Sequence, residues 1–468
     1  MKRETALVKN TIVLFIGTFF LKGVQYLLLP LYTTILTASE YGEVELVNTF
    51  VNLLVPIVGL QLDQGVFRFL IDNRGNKEKT KKLVSASVFF VLGSSAIFAI
   101  GMGVLNIFIN YDYMGLLILN MFFGGISSLL MQISRGLGDN GGYSVSNIIN
   151  AIVTAVANIF LLLGIGLRAE GLLYGAVVGY IAGIIFLFFK MGLQRLISIK
   201  FVDFGLIKKL LKYSLPMVPN SLSWWIFTSS DRIVVANFIS VAATGILSVA
   251  YKFSTISLLI FNVFNMSLTE SISLSVEDKD LSLYYNKIFD IVLNIFVSIG
   301  GVLIACMPFL FKLMVGHEFN EAYPLIPIAI AATTFQICAG ILGVIYIAKG
   351  NTLSIAVSSI MAAVINIIAD IALIGFMGSF AAVVSTLLSF FMLAFYRFLN
   401  VKKRYIGIKI SARLILNLLI SFGIVLSIYY IDNIYANIVN ILVAVMGMLL
   451  FNLRNMDFVL NILKKRKV

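Results

Sequence analysis

The segment from Ser214 to Phe253 reads SLPMVPNSLSWWIFTSSDRIVVANFISVAATGILSVAYKF and consists of two apolar runs joined by a short turn. Three formally charged residues, Asp231, Arg232 and Lys252, lie inside or against these runs. A charged side chain at the centre of a membrane helix costs roughly 2.5–3.5 kcal/mol on insertion scales, so it usually faces protein or water. The segment therefore predicts two membrane helices that each turn a polar face away from lipid.

The composition of the whole chain is that of a membrane protein. Of its 468 residues 60% are hydrophobic and only 12% are charged, and the mean hydropathy is +1.00. A soluble protein carries about twice that share of charge. One histidine, His317, and two cysteines provide no metal-ligand cluster. No phosphate-binding loop or dinucleotide motif is present, so we expect neither a cofactor nor an enzyme.

Apolar runs long enough to cross a bilayer recur along the whole chain. Because open strands cannot satisfy their backbone in lipid, each run is interpreted as a helix. The sequence thus predicts an all-α polytopic membrane protein with about fourteen transmembrane helices. The predicted spans are 11–36, 42–70, 83–109, 113–134, 143–166, 171–189, 213–237, 241–272, 288–311, 323–348, 354–374, 378–396, 412–431 and 436–453.

Lysine and arginine predict the orientation of these helices. Of the 35 lysines and arginines, 29 fall in the N-terminus, the C-terminus and alternate connections, whereas the other connections hold only Arg168 and Lys312. This asymmetry follows the positive-inside rule and places both termini in the cytoplasm. A basic cytoplasmic face also accounts for the net charge of +13 without any binding of nucleic acid.

Two pairs of segments indicate an internal repeat. Residues 39–57 align with 242–260, and residues 141–159 align with 349–367, which places Asn158 over Asn366. Both halves enter from the cytoplasm, so the repeat is parallel and predicts two six-helix lobes around a central cavity. The last two helices lie outside the repeat. The predicted domains are an N-lobe with its linker (1–205), a C-lobe (206–400) and a C-terminal helix pair with a basic tail (401–468).

Three predicted helices carry polar stripes, which argue for an interior face or a water-filled cavity. The stripes contain Lys22 and Gln25 in the first span, Glu45, Asn48, Asn52, Gln61, Asp63, Gln64 and Arg68 in the second, and Ser248, Lys252, Thr255, Asn262, Asn265 and Thr269 in the eighth. Lys22 lies roughly 17 Å into its helix, near the midplane. Two deep lysines favour an anionic cargo, phosphates above all.

Other polar residues have competing interpretations. Residues near span ends are expected to reach the headgroups: Arg68, Glu270 and Asp290 at the inner side, Glu45 and Asp370 at the outer side. We expect Asn158 and Asn366 to form hydrogen bonds between helices. The neighbours Asp231 and Arg232 point about 100° apart. They either pair with other helices or lie at the outer interface, so substrate binding and pairing between lobes both stay open.

The residues at the start of each half form a pattern that resembles one protein family. They are Asn10, Gly17–Thr18, Lys22, Pro30–Leu31–Tyr32 and Ser39–Glu40–Tyr41–Gly42, then Ser214–Leu215–Pro216, Ser230–Asp231–Arg232, Gly245 and Tyr251–Lys252–Phe253. This pattern is similar to the polysaccharide-repeat (O-antigen or capsule, Wzx-type) flippases of the multidrug/oligosaccharidyl-lipid/polysaccharide exporter superfamily. The resemblance covers essentially the whole chain, including the two extra helices.

The resemblance implies a bacterial cytoplasmic membrane protein that moves undecaprenyl-pyrophosphate-linked oligosaccharide repeat units across the membrane by alternating access. Lys22, Arg232 and Lys252 are then the candidate cavity cations, with Arg68 as a further one. The candidate polar or gating residues are Gln25, Asn48, Asn52, Asp63, Asp231, Thr255 and Asn262. The expected partners are the anionic lipid-pyrophosphate-sugar, membrane lipids, H⁺ or Na⁺ as coupling ion, and the polysaccharide polymerase with its chain-length machinery.

Three alternatives stay open. A flippase for the peptidoglycan lipid precursor would also use a cationic cavity and two extra helices. An ion-coupled multidrug antiporter is disfavoured by Lys22, where a carboxylate would be expected. A membrane glycosyltransferase or polymerase is disfavoured by the short outward loops and by the parallel repeat.

Overall fold

The computed structural model describes residues 20, 22–275, 278, 280–431 and 433–465, without the side chains of 263, 266, 267, 270, 274, 352 and 454–465. Asn10, Gly17, Thr18, the start of the first predicted span and the side chain of Glu270 therefore lie outside the described residues. The described part of the chain is predominantly helical and contains no β-strand. The prediction of an all-α polytopic membrane protein is confirmed.

Cα positions divide the chain into two compact units, Met1–Ser229 and Ser230–Val468. Residues 22–27 are helical and precede the labelled helices of the first unit. These are α1 (Leu29–Ile35), α2 (Ala38–Val58), α3 (Leu62–Asp72), α4 (Lys77–Ile109), α5 (Met114–Gly136), α6 (Asn140–Ile159), α7 (Ala169–Lys190) and α8 (Phe204–Ser214). Helix α9 (Val218–Phe238) contains the boundary between the units. The predicted domain limits at residues 205 and 400 stay a prediction.

The second unit continues with eight helices. They are α10 (Val241–Leu274), α11 (Leu281–Met314), α12 (Ile326–Ala348), α13 (Thr352–Met377), α14 (Phe380–Arg404), α15 (Ala412–Leu418), α16 (Val425–Tyr429) and α17 (Ile434–Lys465). Short π-helical stretches follow α6 (Phe160–Ile165) and join α15 to α16 (Leu419–Ile424).

Twelve helices of the described chain are long and apolar enough to cross a membrane. They match twelve of the predicted spans. The first predicted span starts outside the described residues, and the seventh is helical as α9 but too polar to count among the twelve. Large apolar side chains point outward from these helices, for example Ile100 (70% exposed) and Phe108 (81%) on α4. Such exposed apolar surface suits contact with lipid tails.

The second predicted span, 42–70, is not one helix as the sequence suggested. Helix α2 ends at Val58, and α3 begins only at Leu62. Between them Leu60 and Gln61 adopt left-handed backbone angles, with φ of 49° and 54°. Pro56 lacks an amide hydrogen and weakens the last turn of α2. The apolar run continues through this break, so the hydropathy pattern alone could not predict it.

The connections between helices of the first unit lie alternately at its two ends, and hydrogen bonds link the connections that share an end. At the predicted outer end, Arg168 pairs with Glu40, and Tyr111 donates to Glu43 over 2.8 Å. Burial, together with this bond, raises the pKa of Tyr111 above its usual value, so the hydroxyl remains a donor. At the predicted inner end, Arg74 donates to the carbonyl oxygen of Gly136 over 2.7 Å. The alternation expected from the charge pattern is thus present within this unit.

A network of amides and hydroxyls ties the last helices to the second unit. The Asn417 side chain of α15 donates to the carbonyl oxygen of Asn294 (3.0 Å) and to Ser298 Oγ (3.1 Å), both on α11. Asn452 on α17 donates to the same Ser298 oxygen over 3.0 Å. Asn294 and Asn417 are fully buried. The pair that lies outside the repeat is therefore bonded firmly to α11.

Local geometry supports the internal repeat. Thr37 caps α2 and Ser240 caps α10, each by accepting a bond from the amide three residues on. Both asparagines of the alignment are buried and bonded between helices, as predicted: Asn158 donates to Tyr32 over 2.6 Å, and Asn366 donates to Thr386 over 3.3 Å. A Cβ on Gly175 would lie 1.8 Å from Asn158 Oδ1, so this close approach requires glycine.

Candidate functional site

A cluster of buried polar groups surrounds Asp231 in the second unit. Asp231 on α9 is 5% exposed, and its carboxylate accepts a hydrogen bond from the hydroxyl of Tyr251 on α10. The Tyr251 hydroxyl also lies 3.3 Å from the carbonyl oxygen of Ala382 and 3.3 Å from Thr386 Oγ1, both on α14. The quoted segment thus brings its two helices together through an acid and a phenol.

A second carboxylate, Asp370, lies on α13 one turn after Asn366, which donates to Thr386 Oγ1 over 3.3 Å. It is 1% exposed, and in the described chain neither of its side-chain oxygens has a hydrogen-bond partner. The prediction that Asp370 reaches the headgroups is therefore wrong. The sequence placed Asp370 near the end of a span, which predicts its depth in the membrane. It does not predict the side of the helix on which Asp370 lies.

The predicted cations of the second unit lie beside this cluster. Arg232 donates from Nε to Ser248 Oγ over 3.0 Å, and its guanidinium carbon lies 5.5 Å from the centre of the Tyr251 ring. Lys252 follows Tyr251 on α10 and is half-buried. Thr255 uses its hydroxyl within its own helix, on the carbonyl oxygen of Lys252 (2.9 Å). Asn262, two turns further on, is exposed.

The predicted residues of the first unit fall into separate groups. Lys22 Nζ lies 3.4 Å from Gln25 Oε1, and both side chains are exposed. On α2, Asn48 is half-buried and Asn52 is exposed. Their assignment to a cavity stays a prediction.

Helix α3 holds the other two predicted residues of this unit. Arg68 pairs with Asp72 over 2.7 Å, and the two side chains are 51% and 54% exposed. Asp63, by contrast, turns inward and accepts hydrogen bonds from Gln64 (3.2 Å) and from Ser128 on α5 (3.1 Å). Arg68 thus already has an acidic partner, whereas Asp63 has neutral ones.

The model of one family, described as polysaccharide biosynthesis protein, matches residues 7–269, which is more than half of the chain. The chain belongs to this family. The match covers the first unit from residue 7 onward and extends through α9 and most of α10, which carry Asp231, Arg232 and Lys252.

One curated protein similar to this member of the polysaccharide biosynthesis protein family is the probable low-salt glycan biosynthesis flippase Agl15 of Haloferax volcanii. The two chains are 24% identical over 400 residues, which cover 82% of this chain and 81% of Agl15. The sequence resemblance to flippases is thus confirmed by family and by relative.

Solved structures show the same fold. The lipid II flippase MurJ in an inward closed conformation has a TM-score of 0.69 at 17% identity, and covers 96% of this chain and 100% of its own. An inward-facing multidrug resistance MATE transporter of the MOP superfamily has a TM-score of 0.67 at 12% identity, over 84% and 94% of the two chains.

The position of one polar residue, Arg397, was predicted wrongly from the sequence. Arg397 directly follows the predicted span 378–396 and so counted as part of a basic connection, but it lies inside α14 and is 6% exposed. Its guanidinium donates to the carbonyl oxygen of Ala339 (2.9 Å), to Ser358 Oγ (3.1 Å) and to Ser359 Oγ (3.0 Å). Neutral oxygens therefore stabilise this charge, and its interior position was not visible from span limits.

Proposed function

We propose that the protein is a flippase that moves undecaprenyl-pyrophosphate-linked oligosaccharide repeat units across the bacterial cytoplasmic membrane by alternating access. Membership of the polysaccharide biosynthesis protein family carries this proposal. The curated relative named as a glycan biosynthesis flippase supports the same cargo class. Relatives of the fold solved as inward-facing and outward-facing transporters support alternating access.

Candidate cations for the pyrophosphate are Lys22, Arg232 and Lys252, with Arg68 as a further one. Charge-assisted hydrogen bonds to phosphate oxygens are about twice as strong as neutral ones. Arg232 donates from Nε to Ser248, and its planar guanidinium carries the fork of donors that suits phosphate geometry. Arg68 would have to exchange Asp72 for the substrate, so we expect it to contribute less.

The coupling ion of the proposed transport is a proton or a sodium ion held by the cluster of Asp231 and Asp370. Two buried carboxylates near each other are costly when both are charged and unneutralised. One proton or one monovalent cation between them removes most of that cost. Tyr251, Thr386 and the Ala382 carbonyl group add the oxygen atoms that such an ion prefers.

The proposal is tested with Lys22→Ala and Lys252→Ala in a bacterium that makes its surface polysaccharide through this protein. We expect each change to reduce the polymer at the cell surface at least about tenfold, because the pyrophosphate loses a charge-assisted contact. Lys209→Ala, on the exposed face of α8, is the matched control. Immunoblots of membranes check that all variants are present. Normal polymer in both cavity variants would overturn the assignment of these cations.

A peptidoglycan lipid-precursor flippase is the second candidate, because the MurJ fold covers 96% of this chain. Two complementation assays separate the candidates. The proposed function expects rescue of a strain that lacks its polysaccharide-repeat flippase. It expects no rescue of a strain depleted of its peptidoglycan-precursor flippase. Partnership with a polysaccharide polymerase and chain-length machinery belongs to the same proposal and can be tested by co-purification.

A further inference from the structure

A cavity of about 130 Å³ lies in the first unit, beside the break between α2 and α3. Its walls come from the end of α2, the start of α3, α4 and α5. Four of its lining residues carry polar side chains: Gln61, Asp63, Ser95 and Ser128. The volume is large enough for a small ion with several waters. None of these residues belongs to the Asp231 cluster, which lies in the other unit.

Asp63 supplies the cavity with a carboxyl group that has no cationic partner among the described residues. Its hydrogen-bond partners, Gln64 and Ser128, are both neutral. The nearby Arg68 on the same helix is engaged with Asp72. A carboxylate held away from water is costly unless it is paired or takes up a positive charge. The cavity therefore favours a cationic occupant.

The backbone at the break, beside the cavity, departs from the hydrogen-bond pattern of a helix. Because Leu60 and Gln61 are left-handed, the amide of Leu62 bonds to the carbonyl oxygen of Gly59 instead of the carbonyl oxygen of Val58. Unwound carbonyl groups at broken membrane helices are common ligands of sodium ions. Ser95 on α4 lines the same space, is 2% exposed, and has no hydrogen-bond partner in the described chain.

We propose that this cavity is a binding site for one monovalent cation, sodium, with Asp63 as its anionic ligand and Ser95 and Ser128 as neutral ligands. A single carboxylate matches a single positive charge, whereas divalent ions in proteins usually recruit more carboxylates. The proposal goes beyond the proposed function, because it concerns a second site in the other unit. Its test measures binding without transport.

The test uses the purified full-length protein carrying Asp370→Asn, so that the cluster of the second unit cannot account for a sodium response. Thermal unfolding is followed while sodium chloride replaces choline chloride at constant ionic strength, which keeps screening unchanged. A ligand that binds only the folded state raises the midpoint with its concentration. We expect a saturable rise of several degrees. Adding Asp63→Asn should abolish this rise, and adding Ser128→Ala should shift it to about tenfold higher sodium.

Asp72→Asn is the matched control, because Asp72 lies on the same short helix but is half exposed. It should keep the full sodium response. Trp225 provides a second readout should Asp63→Asn fail to fold, since its indole donates to the Thr49 carbonyl oxygen on α2 over 2.8 Å. In the Asp370→Asn protein, sodium should change the tryptophan fluorescence. Adding Ser128→Ala should weaken that change. An equal sodium response with and without Asp63→Asn would overturn the site. A midpoint that follows pH but not sodium would also overturn it, and would assign the charge change to protonation.

Discussion

Three buried residues of charged types lie in the second unit. Asp231, Asp370 and Arg397 are all charged residue types, yet they are only 5%, 1% and 6% exposed. Asp231 accepts a hydrogen bond from the Tyr251 hydroxyl, and Arg397 donates to hydroxyl and carbonyl oxygens of neighbouring helices. A membrane protein tolerates such groups only where helices shield them from lipid. These residues therefore mark positions where packing and function are linked.

Arg397 gives a stability prediction at this scale. In Arg397→Gln the shorter side chain cannot donate hydrogen bonds to Ala339, Ser358 and Ser359 at the same time, so buried oxygens lose their donors. We expect a loss of about 3 kcal/mol in unfolding free energy, because each unsatisfied buried group costs about 1–3 kcal/mol. Thermal unfolding in detergent measures it. Lys403→Gln, on the exposed end of α14, should leave the midpoint almost unchanged. Equal midpoints for the two variants would contradict the structural role of Arg397.

The sequence predicted the position of a residue along its helix better than the side of the helix on which the residue lies. The spacing of apolar residues was sufficient to find the helices, and the repeat placed Asn158 and Asn366 at equivalent helix contacts. It could not show that Asp370 faces inward, because depth does not fix the side of a helix. The contact between Asp231 and Tyr251 joins residues 20 positions apart and depends on how two helices pack. The break at Leu60 depends on backbone angles, which hydropathy does not record.

At the scale of helices, the asparagine network explains how the last helices are attached. Asn417 bridges α15 to α11, and Ser298 receives a further bond from α17. Lipid offers no hydrophobic driving force for helices to associate, so polar contacts and close packing must hold them together. The network therefore fixes the position of a helix pair that the repeat does not include.

Asn417→Leu tests this attachment. The change removes the donors to Asn294 and Ser298, and we expect a loss of about 1–2 kcal/mol, the upper range for polar contacts between membrane helices. Limited proteolysis after residue 400 should also become faster. Ser427→Ala, an exposed hydroxyl that bonds only within its own helix region, is the control. Unchanged stability and proteolysis in Asn417→Leu would exclude the network as the attachment.

At the scale of the whole molecule, the charge pattern predicts how the chain is oriented in the membrane. Within the first unit, alternate connections meet at opposite ends through hydrogen bonds. This geometry agrees with an alternating path, and the lysines and arginines assign one end to the cytoplasm. The side of the membrane on which each end lies remains a prediction from charge.

Single cysteines test the orientation in a background in which Cys306 and Cys338 are replaced by alanine. We expect a membrane-impermeant maleimide to label Lys312→Cys on intact cells. Lys409→Cys should be labelled only after the membrane is permeabilised. Lys312 lies in the last turn of α11 and Lys409 in the connection between α14 and α15, so the two sites serve as controls for each other. The reverse pattern would show that the basic face is extracellular.

Thr37 and Ser240, which cap α2 and α10, have a consequence for the ancestry of the chain. They occupy equivalent positions in the two halves and perform the same task, although the apolar residues after them have diverged. Many apolar residues satisfy lipid equally well, but only a short side chain with an oxygen atom caps a helix in this way. We therefore expect traces of an ancient gene duplication to persist in the first residues of membrane helices after they have vanished from the helices themselves.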